Sequence, residues 1–227
     1  MGTPRPRADR QLSLERSQRL GHMTGVNWFF VALARHARCG GGELRAWRSE
    51  RETAEYLYQS TWDAEHEPHP DGLGIWAEDG RDIVFLLEYD TVTGSEHLPQ
   101  LADKLPGYAG NARTNMAFQV PILFCFPTPR REQSARRALA RVSESRGLQI
   151  ATAALDPRLT CPAGPVWMTL HGGHGPMRLI DLDNVLPDPW RVARTHDERE
   201  RRELAALTRQ PDGIPAEEDE KAFGQWS

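Results

Sequence analysis

The chain has 227 residues, 39% of them hydrophobic and 8% aromatic, which is enough apolar side chain for one substantial core and excludes a chain disordered throughout. Its net charge of −4 gives no general reason to expect nucleic acid, yet the charge is unevenly spread. Residues 1–50 carry nine arginines against Asp9, Glu15, Glu43 and Glu50, while Glu217, Glu218, Asp219 and Glu220 form an acidic run, so a basic face can coexist with a negative sum.

The stretch 1–12, rich in Arg and Pro, reads as a disordered arm. From Ser13 to Arg38 the residues Leu20, Met23, Val26, Phe29, Phe30, Leu33 and Ala37 recur at helical spacing, and "CGGGE" (39–43) stops the helix. Residues 44–50, "LRAWRSE", alternate as a short strand, with Leu44 and Ala46 on one side and Trp47 on the other. Residues 51–69 read as a polar loop with a helical turn at "ETAEYLY". "GLGIWAE" (72–78) and "DIVFLLEYD" (82–90) are strands joined at Asp79-Gly80, a dipeptide that favours a tight hairpin. Residues 97–112 form a helix with Pro106 near its middle or end. "QVPILFCFPT" (119–128) is a second strand apolar throughout, as expected of a strand covered on both faces. An amphipathic helix over 131–147, strands over 148–155 and 166–170, and a charged helix within 190–210 complete the reading. The sequence thus divides into the arm, one α/β domain over 13–190, and a charged helix with acidic tail over 191–227. Hairpins followed by a strand–helix–strand crossover imply a mixed central sheet flanked by helices, with "IVFLL" and "ILFCF" as adjacent strands.

The chemistry concentrates at one end of the hairpin. If Asp79-Gly80 sets the register, Asp71 at the start of one strand lies beside Glu88 and Asp90 at the end of the other. Residues 88 and 90 share a face, and Tyr89 takes the other. Carboxylates converging there suit a hard cation with oxygen ligands, Mg²⁺ or Mn²⁺; the bland alternative is a set of solvated strand-end acids.

The order of elements resembles the PD-(D/E)XK nuclease superfamily, whose core runs helix, three strands, helix, strand. Pro70-Asp71 stands where that family has its Pro-Asp, and Glu88-Tyr89-Asp90 where it ends its third strand. The resemblance implies a restriction-endonuclease-like order, αβββαβαβ. Position 90 is Asp rather than Lys; the family tolerates a lysine moved to the next helix, and Lys104 lies there. The resemblance makes Asp71, Glu88 and Asp90 metal ligands and Lys104 the group that orients water, with its amine turned inward. Of 28 basic residues only Lys104 and Lys221 are lysine, a bias that suits the GC-rich genome of an actinobacterium.

A second resemblance is closer. "GHMTGVNWFFVALARHAR", "AWRSE", "PDGLGIW", "FLLEYDTVTGSEHLPQLADKLPGYA" and "VPILFCFPTPRRE" together resemble the replication-relaxation family of actinobacterial and Gram-positive plasmids and mobile elements. The matching positions are His22, Asn27, Trp47, Glu50, Asp71, Glu88, Asp90, Thr91, Lys104 and Tyr108. The resemblance implies a DNA-processing role, with DNA and other replication or conjugation proteins as partners, and His22, Glu50 and Tyr108 supporting the acids; the alternative for His22, on a mostly apolar helix, is a packed, hydrogen-bonded histidine. Members usually carry a winged-helix domain before this region, which this chain is expected to lack.

Arg130, Arg131, Arg136 and Arg137, with Arg141 beyond them, lie at the start and along one flank of the helix over 131–147, where they suit phosphates; the alternative is a solvated face. His66 and His69 precede Pro70 in a loop, and "HGGHG" (171–175) supplies too few ligands for a closed zinc site. Cys39, Cys125 and Cys161 have no metal-type spacing and read as reduced thiols. No apolar run approaches the ~18 residues of a membrane span, and the first ten residues hold no apolar signal segment, so a cytoplasmic protein is expected. Three functions remain open: a metal-dependent endonuclease or nickase, a non-catalytic DNA-binding or relaxosome accessory protein, and a protein-interaction adaptor.

Overall fold

The computed structural model describes residues 7–58, 67–91, 98–142, 145, 147–172 and 175–185, without the side chains of 7–18 and 184–185. The expected helix within 190–210, the acidic tail, His66 and His174 lie outside the described residues.

Six strands form one mixed sheet in the order β1 to β6: β1 (Glu43–Ser49), β2 (Gly72–Glu78), β3 (Arg81–Tyr89), β4 (Ile122–Phe126), β5 (Ile150–Ala154) and β6 (Met168–Thr169). β1, β2 and β3 are antiparallel neighbours, β3, β4 and β5 run parallel, and β6 returns antiparallel. At the β2–β3 turn Asp79 and Gly80 have φ of 53° and 73°, the paired left-handed conformations of a hairpin turn twisted to match its strands.

Both faces of the sheet are covered, which explains the unbroken apolar runs. On one face α1 (Arg7–Arg38) sets Val26, Phe29, Phe30 and Leu33 against Ile83, Phe85, Leu87, Leu123 and Cys125. On the other, Leu86, Ile122, Phe124 and Phe126 meet three helices: α2 (Glu50–Leu57), α4 (Leu105–Thr114) and α5 (Pro129–Leu139). The sequence of β3 and β4 therefore alternates between two cores rather than between core and water. Among the described residues no helix is long and apolar enough to cross a membrane.

Five local features depart from the sequence reading. The register slips between Leu44 and Ala46. One extra residue in a strand turns its neighbours to opposite faces, so Leu44 joins the α1 core and Ala46 the other, where simple alternation put them together. Residues 50–57, expected to be mostly loop, form α2, started by a reciprocal cap: Ser49 accepts from the backbone of Glu52, whose carboxylate accepts from the backbone of Ser49. The single helix expected over 97–112 is two, α3 (Leu98–Asp103) and α4, with Lys104 at the junction. Pro106 has no N–H to give the carbonyl four residues back, and its ring crowds that carbonyl, so the helix breaks there. The helix α1 also begins at Arg7, earlier than the expected Ser13, and α5 ends at Leu139, short of Gly147.

Candidate functional site

The hairpin register places Gly72 opposite Leu87, which brings Asp71 beside Glu88 as the sequence predicts. Asp71 extends the ladder by donating its backbone N–H to the Leu87 carbonyl at 2.8 Å. Its carboxylate is held twice: Oδ2 accepts the backbone N–H of Tyr89 at 2.7 Å, and Oδ1 lies 2.9 Å from Nε2 of His22 on α1.

Glu88 faces the other helical layer and is 3% exposed. Its Oε2 accepts from the Lys104 amine at 2.5 Å, and its Oε1 from the Tyr108 hydroxyl at 2.5 Å. The break before α4 is what aims both groups at Glu88: Lys104 sits at the junction and Tyr108 one turn later. Asp90 shares the Glu88 face, and its Oδ2 accepts two bonds of 2.8 Å from the buried guanidinium of Arg131 on α5. All of these groups except the fully buried Tyr108 line a cavity of about 230 Å³ at the carboxyl ends of the parallel strands β3 and β4, the end of an open α/β sheet where ligands commonly bind.

Burial pushes the Glu88 carboxyl up to about 7, against the opposing pull of Lys104. The bond to Asp71 raises His22, although burial works against its charge. Burial likewise opposes the charge on Lys104, but the adjacent Glu88 carries its pKa above the ordinary value, with a smaller contribution from the exposed Glu50 at the start of α2. Three acids thus face three bases across a small cavity, and one acid is poised near neutrality.

The expected residues differ in how the protein engages them. Among the described residues no three His, Cys, Asp or Glu side chains are grouped to hold a metal ion. Asp90 is paired with Arg131. Arg131 in turn is 3% exposed and is not presented to DNA. Arg136 is turned inward as well: it donates to Thr152 Oγ1 and to the carbonyls of Met168 and Thr169, tying α5 to β5 and β6. Arg130 and Arg137 remain exposed. His69 stands against the Tyr58 ring rather than in the cavity. His22, Lys104 and Tyr108 do reach the acids. The partnership of Arg131 with Asp90 was not foreseen; the usable signal was that Arg131 lies in the first turn of the helix that follows β4, beside the end of β3.

One glycine fixes the depth of this wall. A Cβ built on Gly25 of α1 would lie 2.2 Å from the Tyr89 ring, so α1 can approach β3 closely there, three residues after His22.

A mixed sheet between helical layers, with paired acids and bases at the carboxyl ends of its parallel strands, defines an α/β protein with a polar cavity at that edge. A family model described as replication-relaxation matches residues 1–121, more than half of the chain, and the chain belongs to that family. The match covers His22, Asp71, Glu88, Asp90, Lys104 and Tyr108 and stops before β4. No curated protein and no solved structure matches the chain.

Proposed function

We propose that this protein processes DNA in the replication of a plasmid or mobile element, as a Mg²⁺- or Mn²⁺-dependent endonuclease or nickase on a restriction-endonuclease-like PD-(D/E)XK core. Membership of the replication-relaxation family supports the DNA-processing part of this reading. The observation that carries the chemical part is the Lys104 amine, 2.5 Å from Glu88 in the cavity that Asp71 also lines. An amine set between two carboxylates can hold a water beside a phosphodiester.

The donor set fits a cation held by two carboxylates, Asp71 and Glu88, rather than three. Each carboxylate oxygen accepts one protein hydrogen bond and keeps a second lone pair. Mg²⁺ is commonly held by one or two carboxylates while retaining waters and substrate oxygens. Bound there, the metal would lower the pKa of a water and stabilise charge developing on the phosphate. Lys104 would orient that water and, as a cation, offset the same charge. Tyr108 fixes the rotamer of Glu88, and His22 that of Asp71. Asp90 and Arg131 hold α5 against the end of β3.

The test is nicking of supercoiled plasmid with Mg²⁺ or Mn²⁺. Asp71→Asn, Glu88→Gln and Lys104→Ala should each lower the rate by roughly 10²-fold or more, the scale of losing a charge-stabilising group. Lys104→Ala should leave calorimetric Mg²⁺ affinity near that of wild type, whereas the two acid variants should weaken it. Wild-type nicking by all three variants would sink the reading.

A second reading, a non-catalytic DNA-binding or relaxosome accessory protein, is favoured by one observation: each acid already has a basic partner within the protein. Absence of nicking together with DNA binding would select it.

A further inference from the structure

A larger depression lies next to the cavity, between α3 and α5. It measures about 610 Å³. One wall is Leu98, Pro99, Ala102 and Asp103 of α3; the other is Ser134, Arg137 and Ala138 of α5, with Arg141 just after it. The helix α3 is shared between the two spaces: Gln100 and Leu101 face the acids, together with Lys104 at its end, and the residues between them face the depression.

The arginines sort into two groups by what they touch. Arg131 and Arg136 are committed to Asp90 and to the β5–β6 backbone. Arg130, Arg137 and Arg141 are exposed, and no carboxylate pairs with any of them among the described residues. Arg137 makes one long bond, 3.4 Å to Ser134, which leaves most of its donors to the outside. Positions 130, 134 and 137 follow the four-three spacing of one helical stripe, and Arg141 lies in the turn just beyond the helix. The stripe runs along the depression and ends, at Arg130, beside the start of α5 where Arg131 meets Asp90.

We propose that this depression is the track of a single DNA strand passing the Asp71–Glu88–Lys104 cavity, with phosphates on Arg130, Arg137 and Arg141. The proposal rests on the DNA-processing reading above and deepens it by naming the strand and its path. A row of guanidinium groups with unused donors matches a row of phosphates. Leu98, Pro99, Ala102 and Ala138 on its walls are apolar, and they complement base faces that a single strand exposes and a duplex stacks away. Asp103 on the rim discourages an anion at that point, so the strand lies on the α5 side.

The experiment is fluorescence anisotropy of a labelled oligodeoxythymidylate against the full chain in EDTA, with salt varied, so that cleavage plays no part. Arg137→Ala/Arg141→Ala should bind more weakly, and its log–log salt slope should fall by about 1.4, or ~0.7 for each phosphate contact of a single strand. Arg130→Ala should remove about a further 0.7. Arg113→Ala, an exposed arginine on α4, should leave the slope unchanged. All the changed side chains are exposed, and equal melting temperatures will verify that the fold survives. Wild-type binding and slope in the double variant would overturn the track while leaving the proposed function standing. A duplex of the same length bound as tightly as the single strand would overturn the strand assignment. Failure of the wild type to bind either DNA would overturn the track and the DNA-processing reading together.

Discussion

The two ends of β3 each carry a cluster of acids and bases, and they differ in what surrounds the charge. At the hairpin end Arg178 lies within 3.0 Å of Glu78, Asp79 and Asp181, and Arg81 joins Asp181 at 2.8 Å. These groups keep water on one side, and the two arginines draw the Asp181 carboxyl below its ordinary range. They fasten the 3₁₀ segment Leu179–Val185 to the hairpin. At the cavity end the same kinds of side chain are paired, but Glu88 is buried and its carboxyl is driven up instead of down. A pair of charges in water holds structure cheaply; a buried pair leaves one partner short of stabilisation, and that shortfall is what an incoming cation or phosphate can relieve.

The comparison can be broken most directly at the buried ion pair. Arg131→Ala would strand Asp90, whose side chain is 10% exposed, and should lower stability by about 3 to 5 kcal/mol in urea unfolding. A loss near zero would mean that α5 is seated by apolar packing alone.

The next effect is one of sign. Glu88 and His22 both hold protons more tightly in the folded state than in the unfolded chain. Their contribution to stability is present at low pH and declines as pH rises, for Glu88 from its ordinary carboxylate value through about 7. Glu88→Gln should therefore raise the melting temperature at pH 8, by the equivalent of roughly 1 to 3 kcal/mol, and change little near pH 4.5. The hairpin end behaves oppositely. The depressed pKa of Asp181 contributes stability above its unfolded value that is lost as pH falls through the folded one. A thermal scan of Glu88→Gln whose advantage is the same at both pH values would remove the contrast.

The smallest effect belongs to Arg178→Ala. Its loss of melting temperature should be below that of Arg131→Ala and should shrink as salt is added, because Arg178 itself is 37% exposed and two of its three partners, Asp79 and Asp181, are 58% and 32% exposed. Equal losses for the two arginines in high salt would show that exposure does not separate the clusters.

Much of this arrangement was legible in the chain. Asp79-Gly80 set the hairpin, and period two put Glu88 and Asp90 on one face. The apolar runs 83–87 and 122–126 marked neighbouring strands covered on both sides. What escaped were contacts decided by tertiary packing. The His22 to Asp71 contact joins α1 to the start of β2; no local pattern encodes it, and only the family resemblance placed His22 near the acids. The helical period of α5 put its arginines along a solvated or phosphate-binding flank, yet the period is indifferent to whether a guanidinium meets water, Asp90 or a strand's carbonyls. The bulge at Arg45 defeated alternation because one added residue reverses every later face. Pro106 was recognised, but not that the break would place Lys104 over Glu88.

The bare Cα of Gly25 has a mechanical consequence. With Tyr89 touching the helix backbone there, α1 has a hard stop against β3, and His22 is delivered to Asp71 at a set height. Gly25→Ala would act as a shim. It would lift α1 off the Tyr89 ring or swing the ring aside, changing the width of the cavity mouth and the reach of His22 to Asp71 without removing any charged group from the site.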